Sequence, residues 1–213
     1  MFNYEHLALL GNCYPLKIYF KSNSSQNIVK EIEDKFEFVK YNPRKNIDRW
    51  GLSITSLDGT MSGIPDLDSL LEYNRENNTS YEEEDFYVPT LAYNNFDEVL
   101  CNFEPWLFRT HVLKLNPGGF FPPHRDVLGL RSFRLIVPLK NCKAPTVNFI
   151  VEDKILNFEE GRVYFVDTIK MHYIFNATSP SKDDKFNPSY WLIMNVKCNK
   201  QSVNEVLSNL KYT

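Results

Sequence analysis

The sequence predicts a mainly β fold with flanking helices, and three observations carry that reading. Beyond about residue 105 the β-branched and aromatic residues gather in short runs. Turn chemistry separates most of those runs, and the first half mixes similar runs with helix-like segments. The strand-like runs are Trp106 to Leu115, Ser132 to Leu139, Thr146 to Val151, Lys154 to Phe158, Arg162 to Val166, His172 to Asn176 and Tyr190 to Lys197. Pro117-Gly118-Gly119, Glu152-Asp153, Glu160-Gly161 and Asn187-Pro188 punctuate them. Short strands so spaced suggest a sandwich or barrel. Ser202 to Leu210 reads as a closing amphipathic helix.

In the first half, Tyr14 to Phe20 is apolar and aromatic enough for a strand. Ser24-Ser25-Gln26-Asn27 offers an N-cap for a helix over Ile28 to Ile32. Trp50 to Leu57 alternates as a strand does and ends at an Asp58-Gly59 turn. Asp66 to Tyr73, preceded by Pro65, reads as a helix, Asn74 to Asp85 as an exposed acidic loop, and Asn95 to Asn102 as another short helix. Residues 1–104 are therefore expected to be a mixed α/β elaboration packed on a core of residues 105–213, the two forming one structural domain.

Composition excludes several classes. With 213 residues, 43% of them hydrophobic, the chain can bury a sizeable core and is not disordered. No apolar run approaches the roughly 18–20 residues a membrane helix needs, and Met1 to His6 lacks a basic segment before Leu7 to Leu10, so neither a membrane span nor a signal peptide is expected. Cys13, Cys101, Cys142 and Cys198 are scattered, which fits free thiols in a cytoplasmic protein. A net charge of −3 removes the general electrostatic case for a nucleic-acid partner.

The most informative motif is Pro122-Pro123-His124-Arg125-Asp126, which follows the Asn116-Pro117-Gly118-Gly119 turn. On an extended backbone side chains alternate, so His124 and Asp126 share a face and Arg125 points away. His172 opens a later apolar strand. Two imidazoles and one carboxylate on one side of a metal leave the other coordination positions free, the ligand set of non-haem Fe(II) oxygenases. A hydrogen-bonded core histidine is the alternative for His172. Arg134 alternates with core residues on its strand, and a buried guanidinium needs an anion, either a bound carboxylate or an Asp or Glu of the chain. Asn176 shares the face of His172, and Arg109 and His111 alternate with Leu113 and Leu115, so all three are candidates to line a cavity. Asp167 is read either as a partner orienting a ligand or as a turn cap. Trp50, with Arg49 and Ser53, reads as a substrate wall, or Trp50 as packing, the safer reading for Trp.

From Arg109 to Val196 the chain resembles the Fe(II)/2-oxoglutarate-dependent oxygenases, most of all the aspartyl/asparaginyl β-hydroxylase-like branch. The motifs, in order, are Leu113 to Asp126, Arg134 to Leu139, Gly161 to Asp167 and His172 to Asn176. The resemblance implies a double-stranded β-helix, a cupin-like jelly-roll barrel with the metal at its mouth. It implies that His124, Asp126 and His172 hold Fe(II), that Arg134 binds a carboxylate of 2-oxoglutarate, and that O2 is the second cosubstrate. The branch usually has an Arg on the strand after the distal His to grip the far carboxylate. Here Ala177 to Lys185 contains none; Lys182 is the substitute the stretch offers, or else a surface lysine. The expected activity is hydroxylation of an amino-acid side chain, free or in a peptide or protein. The alternatives are a cupin-like metalloprotein, such as an isomerase or an oxygenase without 2-oxoglutarate, and a catalytically silent β-barrel binding module.

Overall fold

The structure is a computed structural model and describes residues 3–21, 24–40, 49–61, 70–126, 131–178 and 187–211. The first half contributes α1 (Tyr4–Ala8), β1 (Cys13–Tyr19), α2 (Ser24–Lys35), β2 (Val39–Lys40), β3 (Arg49–Ser53), β4 (Thr55–Ser56), α3 (Leu70–Asn77), β5 (Val88–Pro89) and α4 (Asp97–Leu100). The second contributes β6 (Leu107–Leu115), β7 (Phe120–His124), β8 (Ser132–Lys140), β9 (Val147–Val151), β10 (Lys154–Ile155), β11 (Arg162–Val166), β12 (His172–Asn176), β13 (Ser189–Lys197) and α5 (Lys200–Ser208).

These strands make a large sheet in the order β1-β11-β8-β13-β6-β3-β2 and a smaller one in the order β10-β9-β12-β7, with β4 and β5 paired separately. From β6 onward the chain crosses between the two main sheets with almost every strand, and the pairings within them are antiparallel. That alternation is the double-stranded β-helix, or jelly roll, that the sequence led us to expect. Strands of the first half widen the large sheet at both edges: β1 pairs with β11, and β3 pairs with β6.

The large sheet is covered on both faces, which explains why its strands read as nearly continuous apolar runs. Along β13, Leu192, Met194 and Val196 face one core and Trp191 and Ile193 the other; along β8, Phe133, Leu135 and Val137 oppose Ile136. The first core packs the sheet against Tyr4 and Leu7 of α1, Val29 and Ile32 of α2, Val99 and Leu100 of α4, and Val203 and Val206 of α5. The second fills the space between the sheets, where Trp191 meets Phe149 and Phe158 at ring-centroid distances of 5.8 and 5.3 Å. Period-2 alternation then sends Arg134 and Asn195 inward with this second set.

Several expected boundaries shift. The strand expected over Trp50 to Leu57 splits into β3 and β4 around buried Ile54, whose N–H donates to the Thr110 carbonyl. α5 begins at Lys200 because Asn199 caps it, its Oδ1 accepting from Gln201 and Ser202 N–H. β7 is not among the expected strand runs; its two prolines lie at the edge of the smaller sheet, where they are tolerated. Of the helix expected over Asp66 to Tyr73, residues 66–69 lie outside the described set, and α3 runs on to Asn77. Beyond it the chain folds back onto Asn74 of the helix, whose side chain donates to the Tyr81 carbonyl and accepts from Thr79 Oγ1 and the Tyr81 N–H. No helix among the described residues is long and apolar enough to cross a membrane.

Candidate metal centre and cavity

His124 ends β7 and His172 begins β12, and the two are partners in the antiparallel register. The pairing sets their ring centroids 4.2 Å apart. Asp126 follows two residues on, its N–H anchored to the Thr168 carbonyl at 3.0 Å. One ligand atom from each of the three lies within 4.8 Å of the others, and His124 Nε2 is 3.7 Å from Asp126 Oδ1. The orientation of both rings is fixed from behind. His124 Nδ1 donates to the Pro122 carbonyl at 2.8 Å, and His172 Nδ1 donates to the Lys170 carbonyl at 3.0 Å. Because a carbonyl can only accept, each Nδ1 carries a proton, and in the neutral ring that leaves the lone pair on Nε2.

The local charges suit metal binding. Burial, with His172 nearby, lowers the pKa of His124 and favours the neutral ring. Burial would raise the Asp126 carboxyl, but Arg134, His172, a hydrogen bond with Thr168 and His124 outweigh it and hold the group below the usual carboxylate range. Two neutral imidazoles and one carboxylate fit Fe(II) or a similar divalent ion and leave room for exogenous ligands.

A second ring of charge surrounds this set. Arg134 Nε lies 3.2 Å from Asp126 Oδ2, and its Nη2 lies 3.8 Å from Glu83 Oε2. Glu83 Oε1 accepts from Arg109 Nη1 at 2.6 Å. The chain itself thus brings two anions to the buried Arg134, in Asp126 and Glu83. The acidic run from Glu82 to Asp85 is likewise not a uniformly solvated loop. It forms a 3-10 turn in which Asp85 accepts from the Glu82 N–H, Glu84 pairs with Lys197 and Glu83 turns into the cavity. Its neighbours in sequence hid that direction, since in a run of four acids nothing marks the one that turns inward.

Arg109 is aimed by an irregular backbone. It has φ +41°, where β13 and β6 shift register between Ile193 and Asn195. Three hydrogen bonds hold this conformation. The Arg109 N–H donates to the Phe86 carbonyl at 2.6 Å, and the Arg109 carbonyl accepts from Asn195 Nδ2 at 2.8 Å and His111 Nδ1 at 3.2 Å. A non-glycine residue with positive φ is strained, and such strain collects at functional sites. His111 is buried beneath it; burial pushes its pKa down to about 3, an effect the Arg109 carbonyl opposes and the surrounding arginines reinforce.

These residues line a cavity of about 540 Å³ between the sheets. Its other walls are apolar: Leu113, Phe121, Ile136, Phe149, Ile174 and Ile193. Phe121 stacks on His124 at 4.4 Å, and the Arg49 guanidinium lies 3.9 Å from the other partner in this stack, the Phe121 ring centroid. Arg49 is 4% exposed and pairs in register with Leu115, whereas Arg109 sits at the other end of β6. The two arginines thus enter from opposite ends of the strand layer. Sequence reasoning noticed Arg49 only as a neighbour of Trp50, which packs half-buried against the first core.

Other expected residues lie elsewhere. Asn176 is fully buried but holds backbone, donating to the Leu115 and Asn187 carbonyls and accepting from the Thr178 N–H, and it is not among the residues lining the cavity. Lys182 lies outside the described residues. Asp167 accepts from the Tyr4 hydroxyl at 2.6 Å and pairs with Lys170, tying α1 to the sheet instead of orienting a ligand. Arg125 is exposed.

Neither a protein-family model nor a curated protein matches the chain. Solved structures do. HygX from Streptomyces hygroscopicus, with nickel and 2-oxoglutarate bound, aligns with a TM-score of 0.53 at 9% identity, over 92% of this chain and 87% of that one. The same protein with hygromycin B also bound aligns equally well, at 10% identity. A 2OG-Fe(II) oxygenase-family oxidoreductase from Burkholderia pseudomallei aligns with a TM-score of 0.50 at 12% identity, over 91% of this chain and 88% of that one. The chain thus has the fold of the 2OG-Fe(II) oxygenases.

Proposed function

We propose that this protein is a non-haem Fe(II)- and 2-oxoglutarate-dependent dioxygenase that hydroxylates an amino-acid side chain, free or in a peptide. The observation that carries the reading is the His124–Asp126–His172 set, gathered within 4.8 Å at the wall of a cavity. A relative in fold that holds nickel and 2-oxoglutarate supports it. Bound iron, with 2-oxoglutarate and O2, would supply the oxidising chemistry that converts C–H to C–OH. The chain's own residues do the rest. His124 and His172 offer Nε2, and Asp126 offers Oδ1 while Arg134 steadies Oδ2. Phe121, Phe149, Ile174 and Ile193 exclude water from the space beside the ligands.

Arg49 is the cation we assign to the far carboxylate of 2-oxoglutarate. β13 brings Trp191, Ile193 and Asn195 to the interior and no basic residue, so among the described residues the grip comes from another strand. Arg49 enters the cavity from the end opposite Arg134 and Arg109, next to Phe121 and so to the metal ligands. A guanidinium matches a carboxylate with two parallel hydrogen bonds, which an ammonium cannot reproduce. The substrate is a small molecule or peptide, consistent with the net charge of −3.

The test is succinate formation from 2-oxoglutarate with Fe(II), against panels of amino acids, peptides and oligonucleotides. Turnover stimulated by amino acids or peptides is expected; stimulation by oligonucleotides alone would overturn the substrate class. Calorimetry of 2-oxoglutarate against the Mn(II)-loaded protein tests the anion site, and Arg49→Lys should weaken binding at least about tenfold despite keeping the charge.

A further inference from the structure

Among the described residues, two acceptors at the charged end of the cavity have no hydrogen-bond donor. Glu83 Oε2 and Asn195 Oδ1 are both buried and without a hydrogen-bond partner. A buried acceptor without a hydrogen bond is costly, so two of them on the wall of one cavity call for a ligand that donates. Asn195 cannot hide its oxygen by turning, because Nδ2 is committed to the Arg109 carbonyl at 2.8 Å. Asn195 and Arg134 are register partners, and Glu83 Oε2 lies 3.8 Å from Arg134 Nη2, so both residues neighbour Arg134.

The charge balance restricts the donor. The described residues lining the cavity include three guanidiniums, Arg49, Arg109 and Arg134, against two carboxylates, Asp126 and Glu83. A divalent metal and a dianionic cosubstrate would leave that surplus of positive charge unchanged. A bare amine would add to it, whereas an ammonium accompanied by a carboxylate would not. Arg109 is placed to meet the carboxylate. Its strained backbone is held by three hydrogen bonds, and its side chain already engages one carboxylate, Glu83 Oε1, at 2.6 Å.

We propose that this end of the cavity is a receptor for the head group of a free α-amino acid. Glu83 Oε2 and Asn195 Oδ1 accept from the ammonium, and Arg109 takes the carboxylate. The Glu83–Arg109 pair is this receptor closed on itself, and a zwitterion inserted between the two gives each charge a new partner without changing the net charge. Arg134 remains with Asp126, so the head group is read beside the metal ligands and the side chain extends toward them. A residue in the interior of a peptide has neither charge and is not recognised. The inference deepens the substrate class of the oxygenase reading and rests on it.

The test is calorimetry of the Mn(II)- and 2-oxoglutarate-loaded protein against the common L-amino acids, each compared with its N-acetyl and C-terminal amide derivatives. At least one free amino acid is expected to bind, and either blocking group should weaken it at least about tenfold, the loss of one charged hydrogen-bonding group. In Glu83→Gln the ratio between the free and N-acetylated forms should collapse toward one, and Glu83→Asp should restore part of it. A thermal melt of each variant separates loss of recognition from loss of fold. Equal binding of blocked and free forms would overturn the proposal. So would binding of none of them by a protein that still takes up Mn(II) and 2-oxoglutarate, an outcome that leaves the oxygenase reading intact. If Mn(II) and 2-oxoglutarate themselves fail to bind, that reading falls, and the same comparison on the metal-free protein decides the receptor alone.

Discussion

The two ends of the cavity are built from the same strands and differ in almost every other respect. At one end Asp126, Arg134, Asn195, Glu83 and Arg109 form a chain of charge and hydrogen bonds around the histidines. A few residues along the same strands, Leu113, Trp191, Ile174 and Phe149 pack as an ordinary core. Backbone regularity separates them. The polar end coincides with breaks in the ladder: a register shift between His172 and Ile174, another between Ile193 and Asn195, and the positive φ of Arg109. The apolar end has a break of its own, a register shift of β13 against β8 between Tyr190 and Trp191, but no positive φ among the four residues named. A regular ladder repeats the alternation of its sequence and so makes packing; a bulge re-aims a side chain and so makes a site.

Breaking the polar end should have the largest effect. His124→Ala or His172→Ala is expected to abolish divalent-metal binding, a loss beyond the roughly 10–100-fold typical of residues that merely support a ligand. Titration of Mn(II) followed by electron paramagnetic resonance reads this directly, and wild-type affinity in both variants would refute the ligand set. The fold should survive, because these residues belong to the irregular end.

Breaking the apolar end should do the reverse. Trp191 is fully buried between Phe149 and Phe158, so Trp191→Ala is expected to cost about 3–5 kcal/mol of stability. Urea unfolding would show it. A loss under about 1 kcal/mol would mean that this layer is not the packed core described here.

The smallest effect sharpens the boundary between the two. Arg134→Lys keeps a positive charge beside Asp126 but loses the planar guanidinium that reaches Asp126, Glu83 and Ser132 at once. Metal affinity should fall by about tenfold while the unfolding midpoint moves little. An unchanged metal affinity would show that Asp126 is oriented by its backbone bond to Thr168 alone.

Much of this was legible in the residues. The β-rich second half, the His124-x-Asp126 pair with His172, and the inward direction of Arg134 all follow from alternation along strands, a local property; Arg109 is a candidate on the same ground, but a bulge aims it. β7 escaped notice because its prolines are acceptable only at a sheet edge, and edge position is not written locally. Glu83 escaped because its acidic neighbours make the run look solvated. Arg49 escaped because its strand reaches the cavity only by joining β6 from the distant first half.

By itself, then, the sequence determined most strands of the second half, which face of each is apolar, and which residue types could ligate a metal, since periods of two residues and side-chain chemistry are carried by neighbours along the chain. Only the tertiary structure decided the partners: that Arg134 meets Asp126 and Glu83, that Asn176 braces backbone instead of lining the cavity, and that Asn195 and Glu83 leave two acceptors at its charged end. Those outcomes depend on how distant strands register and where they bulge. That is settled by the packing of two whole sheets, which no window of sequence contains.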